Sequence, residues 1–259
     1  MKIFKNTSIS KKFHNSVLAI GNFDGLHIGH RKVLKEAYRK AKKEKKKFGL
    51  LTFEPLPLMF FNKKISNHRI DTLNQKILNL KKTKLDFVII QKFNKRFSNL
   101  NYVKFISKIL YKKIRCNYIY VSKNFKFGNK REGNVFKLSK YGKIYSYKTI
   151  ITKPIKKNSR TVSSTIIRKL LKKGDIKKVT NLLKRKWEIN GIVIKGSKRG
   201  RKIGFPTCNI SLKNYVVPKF GVYSVQVKIN KILKKGIANI GYRPTFNGKK
   251  LLLEVNIFG

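Results

Sequence analysis

Short unbroken apolar runs alternate along this chain with stretches whose apolar residues recur every three or four positions. Val17-Leu18-Ala19-Ile20, closed by Gly21, has no polar face at all, which is the pattern of a strand covered on both sides in a parallel sheet. Comparable runs occur at residues 48–53, 87–90 and 118–121. Between the first two, Val33, Leu34, Ala37, Tyr38 and Ala41 fall on one helical face, and Tyr102, Val103, Phe105, Ile106, Ile109 and Leu110 do so further on. Strand and helix signals in alternation predict an α/β fold with a parallel, doubly wound sheet. Ligands of such sheets bind beyond the carboxyl ends of the strands. The stretches that close these runs are therefore expected to line one cleft: residues 21–30, Thr52-Phe53-Glu54-Pro55, and Asn124-Phe125-Lys126-Phe127-Gly128.

A helical pair is predicted next, over residues 165–172 and 176–183. It is split by Gly174-Asp175, where Gly stops one helix and Asp caps the next. After Lys186 the texture changes to strand-like alternation interrupted by glycines, at residues 189–194, 222–229, 237–240 and 251–257, with turns at 196–204 and 243–248. The expected organisation is a first domain over residues 1–185 and a second, antiparallel barrel-like domain over 186–259. No internal repeat is visible.

Charge changes the picture less than its size suggests. Sixty-four Lys and Arg against 10 Asp and Glu give a formal net charge of +54, a balance that ordinarily points to nucleic acid or an anionic membrane. Here the cations form neither tail nor stripe and accompany many Asn and Ile, so they read as compositional drift of the kind seen in A+T-biased genomes. No specific nucleic-acid partner is expected. Self-repulsion should make the protein salt-sensitive. Cys116 and Cys208 stand far apart with no CxxC pair, which indicates neither a disulfide framework nor a zinc site. The first apolar run is too short for a signal-peptide core and nothing approaches a membrane span, so a cytoplasmic protein without a membrane partner is expected.

The chemistry concentrates in Gly21-Asn22-Phe23-Asp24-Gly25-Leu26-His27-Ile28-Gly29-His30. His27 and His30 fall where a strand gives way to a helix, beside free backbone N–H groups and the positive end of the helix dipole, a place that favours an anion. Gly29 lets a phosphate approach the backbone. Imidazoles donate hydrogen bonds and share positive charge as a pyrophosphate leaving group gathers negative charge. The stretch reads as a phosphate grip in an enzyme that splits ATP between its α and β phosphates, and it leaves the acceptor unnamed.

Taken in order, the motifs resemble those of the bacterial bifunctional riboflavin kinase/FAD synthetase family nearly end to end. The first part of the likeness rests on residues 21–30, on Thr52-Phe53-Glu54-Pro55 with Pro57, Phe60 and Phe61, on Asn124-Phe125-Lys126-Phe127-Gly128, and on Ser163-Ser164-Thr165 with Arg168. The second rests on Gly196, on Gly200-Arg201-Lys202-Ile203-Gly204-Phe205-Pro206-Thr207-Cys208-Asn209, on Gly221-Val222-Tyr223, on residues 236–246, and on Glu254. The resemblance implies a Rossmann-like nucleotidyltransferase domain followed by a small riboflavin-kinase-like β-barrel.

In the first domain it implies that the FMN phosphate attacks the α-phosphorus of ATP, giving FAD and pyrophosphate. His27 and His30 would then be catalytic, with Gly21, Phe23, Gly29, Arg160, Ser163 and Arg168 binding ATP. Phe53, Pro55, Pro57, Phe61 and Asn124 would bind the flavin. In the second domain it implies phosphorylation of riboflavin by ATP. Gly196, Gly200, Gly204 and Pro206 would hold that ATP, Thr207 and Asn209 would ligate Mg²⁺, and Glu254 would serve as general base. The implied partners are small molecules, namely ATP, riboflavin, FMN and FAD; the oligomeric state stays open.

Several positions depart from the family pattern. Lys123 stands where an acidic residue is usual, Ser122 replaces a Gly, Leu56 a frequent His, and Cys208 a small Ala. The chain ends at Gly259, where the family continues through an Asp-rich loop, a strand and a helix, so the kinase-like domain is expected to be incomplete and its activity less secure than adenylyl transfer. Two other readings remain at this level. His27-Ile28-Gly29-His30 is also the signature of class I aminoacyl-tRNA synthetases, though no Lys-Met-Ser-Lys-Ser element follows, and the charge suits a nucleic-acid-binding protein on a retired enzyme scaffold.

Overall fold

A computed structural model describes residues 1–62, 64–65, 68–157, 160–194, 204–230, 232–245 and 248–258, with the backbone alone at 243–245 and 248–250. The chain divides into two compact units, Met1–Lys64 with Leu73–Ser164, and Ile65–Thr72 with Thr165–Gly259.

The first unit is built on six strands: β1 (Lys2–Phe4), β2 (Val17–Ile20), β3 (Phe48–Glu54), β4 (Phe87–Lys92), β5 (Tyr118–Ser122) and β6 (Lys148–Thr152). They lie in the order β1-β4-β3-β2-β5-β6 and every pairing is parallel. β2 is central and buried at all four positions, as its uninterrupted apolar run predicts. Its alternate residues feed two separate cores: Leu18 and Ile20 join Phe13, Leu51, Phe87 and Ile119 on one face, while Val17 and Ala19 join Leu34, Ala37, Phe48 and Val88 on the other. That is the doubly covered sheet the pattern called for.

Helix α1 (Ile28–Lys43) supplies one cover, burying Val33, Leu34, Ala37 and Ala41. The predicted helix from Tyr102 is present as Tyr102–Lys104 continuing into Phe105–Ile114, whose hydrogen bonding is of the π type and which stops at Arg115 with φ 51°. β1 and β6 lack a sequence signal for physical reasons. β1 has only three residues, and β6 is a partly exposed edge whose apolar content is two isoleucines between threonines.

In the second unit α2 (Ser164–Lys173), which begins one residue before the division, and α3 (Ile176–Leu183) form the expected pair. Gly174 takes φ +77°, and Asp175 accepts from the Lys178 amide at 3.0 Å, so the stop and the cap are both made. Five antiparallel strands follow: β7 (Val193–Ile194), β8 (Thr207–Ser211), β9 (Gly221–Ile229), β10 (Ile232–Thr245) and β11 (Gly248–Ile257), in the order β7-β8-β11-β10-β9. The end strands β7 and β9 pair with no further strand among the described residues. Ala238, Ile240, Leu253 and Val255 line its buried face.

The strand expected over 189–194 shortens to β7, because Asn190 is engaged instead by the Tyr215 hydroxyl, which receives from its N–H at 2.8 Å and donates to its C=O at 3.1 Å. Of the turn expected at 243–248, residues 243–245 and 248 are strand instead. The ladder runs on through Arg243↔Lys250 to Thr245↔Gly248, since pairing with the partner strand overrides the turn preference of Arg-Pro-Thr.

A segment distant in sequence completes this unit. Arg168 Nε donates to His68 O at 2.7 Å, Trp187 Nε1 to Ile70 O at 2.9 Å, and Val216 N to Arg69 O at 2.7 Å. Asp71, 1% exposed, receives the Arg185 guanidinium at 2.5 and 2.6 Å. No helix among the described residues is long and apolar enough to cross a membrane.

Candidate active site

At the carboxyl end of β2 the chain turns through residues 22–27 before entering α1. Phe23 (φ 48°) and Leu26 (φ 39°) flank Gly25 (φ 82°) in this turn, and both large side chains are almost fully buried. Left-handed backbone at bulky residues is uncommon and costs about 1–3 kcal/mol each. The surroundings impose it. The Gly21 amide donates to Leu51 O at 3.1 Å, Thr52 Oγ1 to Asn22 O at 3.0 Å, and Ser164 Oγ to Asp24 O at 2.9 Å.

The turn delivers three rings in a stack. The His27 and His30 imidazoles lie stacked 3.7 Å apart at 20°, and the Phe23 ring lies 4.8 Å from His30 at a tilt of 38°. Two glycines bracket the stack. A Cβ at Gly21 would come within 3.1 Å of the Phe23 ring, and one at Gly29 within 3.1 Å of the His27 ring and 3.5 Å of Val162 O. Gly29 thus makes room for an imidazole, in addition to any backbone approach by a ligand.

His27 is the N-cap of α1, and its Nδ1 accepts from the His30 amide at 3.3 Å. An accepting Nδ1 leaves Nε2 as the nitrogen that carries a proton. His27 is 4% exposed and His30 half-buried, so the pair presents mainly the His30 side to solvent. At the first turn of a helix, such a donor set favours an anion.

Arg160 is exposed on a two-stranded hairpin, paired with Lys157, and the chain runs from it through Val162 to Ser163, the residue before α2. Val162 O is the carbonyl that a Cβ at Gly29 would meet, so the Ser163 segment borders the α1 N-terminus. Arg168 belongs to the second unit, where its bond to His68 is described above.

The flavin candidates divide. Phe53 is 8% exposed and packs edge-on against Phe93 at 6.1 Å and tilted against Phe97 at 5.8 Å, a core position. Pro55, in a cis peptide with Glu54, and Pro57 are half-buried, and Phe61, 67% exposed, meets Phe60 and Phe93. Asn124 is exposed and lines a cavity of about 490 Å³ beyond the carboxyl ends of β5 and β6, with Lys123, Phe125, Lys126, Arg131, Asn134, Phe136 and Ile151. Lys123, Lys126 and Arg131 give it a positive rim.

The second constellation lies on one face of the antiparallel sheet. Asn209 of β8 pairs in register with Glu254 of β11, which pairs in turn with Asn239 of β10. Thr207 shares the face two residues before Asn209 and is exposed. Asn209 is 7% exposed, and its Oδ1 is buried without a hydrogen-bond partner among the described residues. Gly204 adopts φ +80° with open space where a Cβ would lie, and Pro206 accepts from Asn256 Nδ2 at 2.9 Å. Gly196 and Gly200 lie outside the described residues.

The sequence reading overlooked Thr52 and Ser164, which pin the histidine turn through its carbonyls, and Phe93 and Phe97, which support Phe53. Thr52 and Ser164 sat inside motifs already quoted, but a hydroxyl's backbone partner has no sequence signature. Asn239 lies within the 236–246 motif, for which the resemblance implies no role.

A parallel α/β unit with an imidazole-capped helix, followed by an antiparallel sheet bearing Thr, Asn and Glu on one face, defines a two-part enzyme of phosphate-group transfer. Comparison with known proteins supplies the family. Residues 9–166 match the FAD synthetase family model and residues 183–259 the riboflavin kinase model. The bifunctional riboflavin kinase/FMN adenylyltransferase of Buchnera aphidicola subsp. Schizaphis graminum is 42% identical over 264 residues, covering 100% of this chain and 84% of its own length. That of Escherichia coli K12 is 36% identical, covering 93% of this chain and 77% of its own. A crystal structure described as a macrolide-efflux protein from Streptococcus pneumoniae superposes with TM-score 0.86 at 27% identity, covering 99% of this chain and 84% of that one. The chain belongs to the bifunctional riboflavin kinase/FMN adenylyltransferase family. Neither the synthetase-remnant nor the nucleic-acid reading is favoured by these matches.

Proposed function

We propose that this chain makes FAD from riboflavin in two ATP-dependent steps, with residues 1–185 performing adenylyl transfer and 186–259 phosphorylation. The observation that carries the reading is the Phe23–His30–His27 stack at the N-terminus of α1. In adenylyl transfer an FMN phosphate oxygen forms a bond to the α-phosphorus of ATP while the bond from that phosphorus to the bridging oxygen breaks. Pyrophosphate leaves with the electron pair. His27, donating from Nε2, and His30 hold the phosphates as charge moves onto the leaving group, held in place beforehand by the pinned turn. Gly21, Phe23 and Gly29 shape that grip, and Arg160 and Ser163 meet the triphosphate from beside it. Asn124 and the basic rim of its cavity take the flavin side, with Pro55, Pro57 and Phe61 as apolar wall and Phe53 behind them.

In the kinase step Glu254 accepts the proton of the terminal ribityl hydroxyl as its oxygen bonds to the γ-phosphorus and ADP departs. Asn209 Oδ1, buried and unpaired among the described residues, and the hydroxyl of Thr207 are hard oxygen donors that fit Mg²⁺. When bound there, Mg²⁺ would neutralise phosphate charge. Gly204 and Pro206 border the same strand and would face the ATP phosphates together with Gly196 and Gly200. ATP feeds both steps, and the reading places the enzyme in the cytoplasm.

The test is to supply the folded protein with FMN, ATP and Mg²⁺ and to separate products by chromatography. FAD and pyrophosphate should appear in equal amounts, and their absence refutes the reading. Glu254→Gln should abolish FMN formation from riboflavin and spare FAD formation from added FMN.

A further inference from the structure

The antiparallel sheet aligns five residues in one row across its strands: Ile194, Asn209, Glu254, Asn239 and Val222, each paired in register with the next. Partners in register share a face, and adjacent strands stand about 4.8 Å apart. The row has a chemical order. Asn209 is a hard-oxygen donor, Glu254 is the base, Asn239 is a half-buried amide, and Val222 is a 68% exposed apolar side chain.

Asn239 is half-buried in a central strand, on the face that also carries the exposed Val222 and Ile237. Its neighbours along β10, Ala238 and Ile240, point into the buried core of the opposite face. Asn is depleted in strands, and a β-branched residue would suit this interior position better.

We propose that Asn239 recognises the polyhydroxyl chain of the flavin and makes the kinase site selective for it; this rests on the kinase reading of Glu254 and Asn209. The substrate has the same linear order as the row. Phosphate and cation lie at one end, then the attacking hydroxyl, then the secondary hydroxyls, then an apolar ring system. With the attacking hydroxyl at Glu254, the next strand away from Asn209 falls beside the secondary hydroxyls. An amide suits them because it offers both a donor and an acceptor, as a hydroxyl requires. Val222, one strand further, and Ile237, 43% exposed and two residues from Asn239 on the same face, give the ring an apolar seat.

The experiment compares riboflavin with a flavin whose N10 chain is a plain ω-hydroxyalkyl group of equal length, using the full chain. Wild type should prefer riboflavin. Asn239→Ala should raise the KM for riboflavin about tenfold, the usual weight of a lost hydrogen bond, with kcat within about twofold. The kcat/KM for the plain-chain flavin should not change, and Asn239→Ser should recover part of the preference. Unchanged turnover of the plain-chain flavin reports that the second unit, which holds Asn239, stays folded in each variant. An unchanged riboflavin KM, or equal losses for both flavins, overturns the proposal. If Glu254→Gln still forms FMN, the kinase reading itself fails and the assignment of Asn239 falls with it.

Discussion

The imidazoles of His27 and His30 stack at 3.7 Å while the Nδ1 of the first accepts the backbone N–H of the second. One ring is thereby fixed in orientation and proton position, and the other is left as the more exposed donor. Replacing His30 with Ala should lower FAD formation at least about a hundredfold, the effect of removing one donor to developing charge. FMN formation from riboflavin should persist. Single-turnover assays with FMN and ATP check this, and near-normal turnover would remove His30 from its role.

Gly29→Ala tests whether the stack itself matters. The new Cβ would sit 3.1 Å from both Cε1 and Nδ1 of His27, a ring held by His30 on one side and almost fully buried. The ring must shift by a few tenths of an ångström, and FAD formation should fall about tenfold because misplaced donors lose much of their effect. Thermal unfolding should change little. A loss of folded protein in place of a loss of rate would show the glycine to be structural.

Gly49 on β3 faces Phe87 on β4 in register, and a Cβ there would lie 2.1 Å from the ring Cζ. Gly49→Ala should destabilise the first unit by about 1–3 kcal/mol through overpacking. Phe87→Leu should partly relieve it in the double variant. Urea unfolding of the four chains gives the coupling, and strictly additive effects would dismiss the steric explanation.

Burial pushes the Cys116 thiol up to about 12, from an ordinary value of 9.0. A raised value means the folded protein keeps a proton that the unfolded chain releases. Stability from this thiol is therefore fully present below about pH 9 and declines as pH rises towards 12. Cys116→Ala should flatten that alkaline decline in unfolding measurements. Native protein at pH 8 should leave Cys116 unlabelled by a thiol reagent until denaturant is added.

Legibility followed burial and locality. β2, β3, β4 and β5 were readable because a strand covered on both faces shows an unbroken apolar run. α1 was readable from the spacing of Val33, Leu34, Ala37 and Ala41. β1 and β6 were not, since a short strand and a half-exposed edge have no distinctive pattern. The attachment of residues 65–72 to the second unit, through Arg185–Asp71 and Trp187–Ile70, was likewise hidden, because charge pairing between residues more than a hundred positions apart has no periodicity.

In the histidine corner the residue types and their spacing were visible, while the Phe23–His30–His27 stack and the pins from Thr52 and Ser164 were not. Phe53 shows the opposite case. The family resemblance made it a flavin candidate, and packing against Phe93 and Phe97 buries it.

Local order alone therefore determined the strand-helix alternation, the place of the two histidines at a helix start and the change of texture after Lys186, because each is written within a few consecutive residues. The tertiary structure decided which groups meet: two glycines bracketing three rings, and Asn209, Glu254 and Asn239 aligned from three strands. Such meetings depend on register and crossover between segments far apart in the chain, and those are fixed by packing of the whole unit, which no local pattern contains.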